Sequence, residues 1–165
     1  MPALWLILAG CAEQPTPLDC EQRDEVTTPV EGDWRIAFEE MNFDDCDMEK
    51  WILDDEPGPM EVSVRGNGDL IVGHGQGDET CSLQDGVFTC SRRQSVDNTP
   101  AEDYNLNAVI LLEISAAGVF QSDTCLAMDL DIDATCSGSD CWLVELATAS
   151  FPCEMSVHLE AEAAR

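Results

Sequence analysis

Leu126-Ala127-Met128-Asp129-Leu130-Asp131-Ile132-Asp133 sets the fold class. Leu126, Met128, Leu130 and Ile132 alternate with Asp129, Asp131 and Asp133, a period of two that belongs to a strand with one buried and one wet face. The same pattern recurs on both sides. Trp34, Ile36 and Phe38 alternate with Asp33, Arg35 and Glu39. Met60, Val62 and Val64 alternate with Glu61, Ser63 and Arg65. Met155, Val157 and Leu159 alternate with Glu154, Ser156, His158 and Glu160. Tyr104 to Ile114 reads as a longer, more apolar strand. One wet face per strand is the habit of antiparallel sheets, and about eight to ten short strands joined by short loops predict a barrel or a two-sheet sandwich.

Two turns set registers. In Cys81-Ser-Leu-Gln-Asp85-Gly86-Val-Phe-Thr-Cys90, Asp-Gly suits a two-residue type I′ hairpin. Gln84 then faces Val87 and Cys81 faces Cys90 as a non-hydrogen-bonded pair, where α-carbons come close enough for a disulfide. In Arg65-Gly66-Asn67-Gly68-Asp69, a three-residue loop with a left-handed Gly68 aligns Val64 with Leu70 and Val62 with Val72. A two-residue loop would mix the two faces.

Nine cysteines occur, at positions 11, 20, 46, 81, 90, 125, 136, 141 and 153. No C-x-x-C is present, so zinc-ribbon and zinc-finger chemistry lacks its ligands, and an oxidising compartment accounts for the count. Cys136-Ser-Gly-Ser-Asp-Cys141 reads as a loop closed by its own cysteines. Folding about that loop would bring Cys125 to Cys153, with a bulge near Pro152, and Cys20–Cys46 follows by elimination.

Cys11 is the odd cysteine, and its setting explains it. The apolar run Ala3-Leu4-Trp5-Leu6-Ile7-Leu8 leads into Leu8-Ala9-Gly10-Cys11. This resembles the lipobox of bacterial lipoprotein signal peptides. The resemblance implies cleavage before Cys11, acyl chains on Cys11 and export; Ala12 after the cysteine implies the outer membrane. No Lys or Arg precedes the run, and a start upstream of Met1 would supply one. Residues 1–10 are then the leader and residues 11–31 a lipidated, acidic, Pro/Thr-rich tether. Residues 32–161 form the β domain and residues 162–165 a tail. Gly32-Asp33-Trp34 resembles the opening of lipocalin-like barrels. The whole pattern resembles the cysteine-rich lipoproteins of Gram-negative bacteria, which implies a compartment and a β fold but no activity.

With 34 acidic against 7 basic residues the formal charge is −27, so phosphate backbones are repelled and nucleic acid is excluded as a partner. High charge alone would suit disorder, but 44% hydrophobic residues in regular alternation argue for a packed domain. Candidate chemistry is sparse. His74 sits at the parity of Leu70 and Val72 and reads as a core histidine before it reads as a ligand. Gly73-His-Gly-Gln-Gly77 is followed by no G-K-[ST] and the chain holds no G-x-S-x-G, so neither a phosphate loop nor a serine nucleophile is supported. Asp129, Asp131, Asp133 and Asp140 share the acid spacing of a calcium-binding EF-hand loop, but Ala134 replaces its turn glycine, so an outward strand face is the better reading. Asp44, Asp45, Asp47, Asp54, Asp55 and Glu56 around Cys46 and Trp51 suit solvated loop charge or weak calcium binding. A glycosidase would need an aromatic-lined cleft, and a reactive thiolate an electropositive setting, and the chain offers neither. The expectation is a non-enzymatic, cofactor-free lipoprotein held to a membrane by its lipid. Its role is binding, adhesion or envelope structure, with an unidentified protein or small molecule as partner. The alternatives are a lipocalin-like carrier of a small apolar ligand and a calcium-binding module. A filled interior with an acidic outer face favours partner binding or structure; a large apolar interior favours carriage.

Overall fold

Alternating strands cannot bury their apolar faces singly, and the nine strands described solve this by rolling one sheet shut. The structure is a computed structural model, described for residues 18, 20, 28–48, 59–65, 68–74 and 77–164. The strands are β1 (Gly32–Asp44), β2 (Met60–Val64), β3 (Asp69–His74), β4 (Gly77–Gln84), β5 (Val87–Cys90), β6 (Arg93–Asp97), β7 (Val109–Ser122), β8 (Cys125–Ser137) and β9 (Cys153–Ala163). Helices α1 (Thr99–Tyr104) and α2 (Cys141–Val144) interrupt the strand run. Every pairing is antiparallel and between neighbours in the order β5-β4-β3-β2-β1-β9-β8-β7-β6. The further β5–β7 pairing, through Val87↔Val119, shuts the sheet into an eight-stranded barrel. β6 continues from β5 along the same edge of β7. The result is an up-and-down barrel, an architecture that removes sheet edges where it closes.

Both turn readings hold. Asp85 (φ 50°) and Gly86 (φ 76°) are left-handed, as a type I′ turn requires, and Cys81 faces Cys90 with α-carbons 3.8 Å apart. Gly68 (φ 89°) lets Arg65 N donate to Asp69 O (2.8 Å), and Val64 faces Leu70 while Val62 faces Val72.

The barrel has unequal walls. β2 pairs only with Gly32–Trp34 of β1, whereas β9 follows β1 as far as Asp44. Where β2 to β5 stop, the inner face of β1, β9, β8 and β7 continues. It carries one continuous set of buried side chains in two clusters. Inside the barrel Trp34, Leu70, Phe88, Phe120, Leu126 and Val157 pack together. Trp34 meets Phe120 edge-on (5.8 Å between rings), Phe88 lies 5.3 Å from Phe120, and the Trp34 indole N–H donates to Val30 O (3.0 Å). Beyond the rim, Ile110, Ile114, Ile132, Ala134 and Met155 are covered by Cys46, Met48 and Val144.

Several expectations are corrected. Tyr104 ends a helix, and the long strand begins only at Val109: Pro100 suits the first turn of a helix, and Asn105 closes it in a left-handed conformation. β9 runs to Ala163, past the expected boundary at 161. In β1 a bulge at Ala37 shifts the register from Ile36↔Ala161 to Phe38↔Glu160, so Glu39 lies opposite Leu159 on the inner side and not beside Asp33 and Arg35.

The disulfides confirm two pairings and correct two. Cys81–Cys90 and Cys136–Cys141 are present; Cys20 pairs with Cys125 and Cys46 with Cys153. The error came from treating 136–141 as the hairpin turn between β8 and β9. The connection is longer, and Ala134, not Cys125, faces Cys153.

Candidate binding surface

The long strands β1, β9, β8 and β7 turn their polar parity outward. On β8 this face presents Asp129, Asp131 and Asp133, and on β9 Glu154, Ser156, His158, Glu160 and Glu162. His158 lies opposite Asp129, with Nδ1 2.8 Å from Oδ1; its Nε2 is 3.7 Å from Glu160, and Glu40 of β1 is its other cross-strand neighbour. Asn42 donates to the same Asp129 oxygen (3.3 Å). Three of the described arginines are paired. Arg35 pairs with Glu162, Arg92 with Glu113 (3.0 Å) and Asp133, and Arg93 with Glu79 (2.5 Å). The exposed pairs of Arg35 and Arg92 are each worth about 0–1 kcal/mol, so they trim the negative field without cancelling it. The Arg93–Glu79 pair joins β6 to β4, two strands that share no ladder.

The N-terminal segment reaches this wall at one end. Cys20 is bonded to Cys125 at the start of β8, Leu18 N donates to Glu160 (2.5 Å), and Val30 N donates to Asp123 O (2.8 Å). The opposite end is closed by the β8–β9 connection. Residues 141–148 form a helical turn fixed at both sides. Cys136–Cys141 holds its start, while Ala149 N donating to Cys46 O (2.9 Å) and the Cys46–Cys153 bond hold its end. Val144 and Thr148 face inward; Trp142 (59% exposed) and Leu146 (77%) face out.

The residues singled out in the sequence fall in several places. Asp129, Asp131 and Asp133 lie along an uninterrupted strand, not in a calcium loop. Asp44 is committed to the backbone: its oxygens accept from Cys46 N (2.9 Å) and Met48 N (2.7 Å), turning the chain so that both residues are buried. Asp54, Asp55, Glu56, Trp51 and Cys11 lie outside the described residues. His74 ends β3 opposite Gly77 at the parity of Leu70 and Val72; its side chain is outside them too. Among the described residues no three His, Cys, Asp or Glu side chains are grouped to hold a metal ion, and no helix is long and apolar enough to cross a membrane. Two features escaped the sequence reading. One is Glu39, whose carboxyl is pushed above its ordinary range by burial. The other is the exposed Trp142/Leu146 pair, which depends on which face of the 141–148 turn the core claims. Comparison with protein families, curated proteins and solved structures finds no match to the chain.

Proposed function

We propose that the protein is an exported bacterial lipoprotein. Acyl chains on Cys11 hold it to the outer membrane, and the barrel acts as a rigid scaffold for binding or envelope structure rather than as an enzyme. The observation that carries this is the cysteine balance: eight of the nine cysteines are joined in four disulfides, leaving Cys11, at the end of the lipobox-like run, for the anchor. Four cross-links suit a chain that meets an oxidising compartment. Several acyl chains anchor stably, since each buried CH₂ contributes about 0.8 kcal/mol.

The interior supports partner binding over carriage. Trp34, Phe88 and Phe120 meet across the barrel, and fifteen buried residues form that cluster. Function on such a scaffold belongs to its outside, which is acidic along the long wall and apolar at one end.

The test is expression of the full chain in a Gram-negative host fed labelled palmitate. Label in the membrane fraction, abolished by Cys11→Ser, is the expected result. An unlabelled chain that stays soluble in the periplasm sinks the anchor; one that stays in the cytosol with reduced cysteines sinks export as well.

A further inference from the structure

We infer that the outward face of the 141–148 turn, which presents Trp142 and Leu146, docks a basic, amphipathic segment of a partner protein. The inference rests on the binding role proposed above and gives it a surface and a partner chemistry.

Four observations converge. First, the side chains are of the kind that anchor interfaces. Trp142 on α2 and Leu146 in the turn that follows it are both turned to solvent, at 59% and 77% exposed, and Tyr104 at the end of α1 is 72% exposed. Large aromatics that stay this exposed mark interaction sites, and Trp and Tyr are enriched among interface hot spots.

Second, the surface is preorganised. Two of the four disulfides flank the turn, and its inner residues Val144 and Thr148 are buried. The segment after α1 is bound to it: Asn107 N donates to Asp140 Oδ2 (2.8 Å), and Asp140 N donates to Asn107 O (3.2 Å). Gly138 (φ 135°) allows this approach, because a β-carbon there would lie 2.0 Å from Asn107 O. Little conformational freedom remains to be lost on binding.

Third, the rim is acidic. Asp140 and Glu145 flank Trp142 and Leu146 along the chain, Glu102 and Asp103 precede the segment that Asp140 binds, and no lysine or arginine occurs between Arg93 and Arg165. A partner with an apolar centre and Lys or Arg around it is complementary, whereas an acidic segment or an anionic lipid surface is repelled.

Fourth, the turn faces away from the tether. Cys125, where the N-terminal segment is attached, and Cys136, which holds the turn, are at opposite ends of β8. At about 3.3 Å per residue that separation is roughly 36 Å.

The experiment measures binding of two fluorescent peptides to the full chain, purified in detergent, at about physiological salt. One is a Leu/Lys peptide with leucines at helical spacing. The other has the same composition scrambled to remove the apolar face. The amphipathic peptide should bind about tenfold tighter or more, and Trp142→Ser with Leu146→Ser should abolish that advantage while leaving the residual charge-driven binding. Val87→Thr with Val119→Thr, which removes the exposed apolar pair at the tether end, should leave the advantage intact. An intact mass showing four disulfides confirms that each variant is folded as the parent is. Equal binding of both peptides, or an advantage that survives the Trp142/Leu146 change, overturns the inference. So does adsorption to neutral lipid vesicles in place of peptide binding. Palmitate labelling of Cys11 is read independently, so failure here leaves the anchor standing.

Discussion

Gly118 shows how tightly single positions are constrained. It lies on β7 between Phe88 of β5 and Met128 of β8, and a β-carbon there would sit 2.6 Å from Phe88 Cζ and 2.5 Å from Ala127 O. Overpacking of this kind costs about 1–3 kcal/mol. Gly118→Ala should lower the free energy of unfolding by that amount, read from a denaturant titration; an unchanged value would mean that β7 and β8 shift apart there without cost. Glu39 has the opposite character, a residue whose removal helps. The Ala37 bulge brings its carboxyl to the inner side opposite Leu159, where burial raises its pKa above the ordinary glutamate value. The folded state therefore holds a proton that the unfolded chain releases sooner. Stability from this group is full below the ordinary glutamate pKa and is lost as pH rises through the raised value. Glu39→Gln should raise the melting temperature at pH 7 and leave it nearly unchanged at acid pH. A gain of equal size at both pH values would assign the effect to something other than ionisation. Neither residue announced its role in the sequence. A glycine in a strand signals close approach without naming the neighbour, and a bulge reverses the parity on which every inward or outward assignment depends.

At the scale of elements, what was legible followed from local pairing. The Asp85-Gly86 and Gly66–Gly68 turns fix their registers within about ten residues, and both hairpins formed as the turn chemistry dictates. The 138–152 connection was not legible, because no local rule tells a helical excursion from a loop. Two disulfides were misassigned with it. The true pairings link distant parts of the chain: Cys20–Cys125 spans 105 residues and Cys46–Cys153 spans 107, against 9 for Cys81–Cys90. Cross-link stabilisation grows with the loop closed, to roughly 4–5 kcal/mol for the long ones and 2–3 for the short one. Replacing Cys46 and Cys153 together by alanine should therefore lower stability more than replacing Cys81 and Cys90. The Cys46–Cys153 variant should also free the 141–148 turn, read as faster amide exchange at Val144–Ala149 than in the parent. Protection there equal to the parent's would place the restraint in packing of Val144 and Thr148 rather than in the cross-link.

For the whole molecule, alternation established an all-β domain but not whether it closes. Closure rests on two pairings, β1 with β9 and β5 with β7, between segments that carry no local mark of one another. The candidate surface was half legible for the same reason: the acidity of its outer wall stood in the composition, while the exposed apolar end depended on which face of the 141–148 turn the core would claim. The charge makes the last prediction. With 34 acidic against 7 basic residues, repulsion acts across the entire fold, whereas attraction is confined to a few exposed pairs such as Arg35–Glu162 and Arg92–Glu113. Salt weakens both, with opposite signs for stability. A handful of surface pairs at about 0–1 kcal/mol each is outweighed by the self-repulsion of a net charge of −27. Raising sodium chloride from about 0.01 M to 0.5 M shortens the screening length from about 30 Å to about 4 Å. The melting temperature should rise by about 5 °C, on the order of 1–2 kcal/mol for a domain of this size. A flat or falling salt profile would mean that the ion pairs and the His158–Asp129–Glu160 cluster hold the outer wall together more strongly than its charge drives it apart.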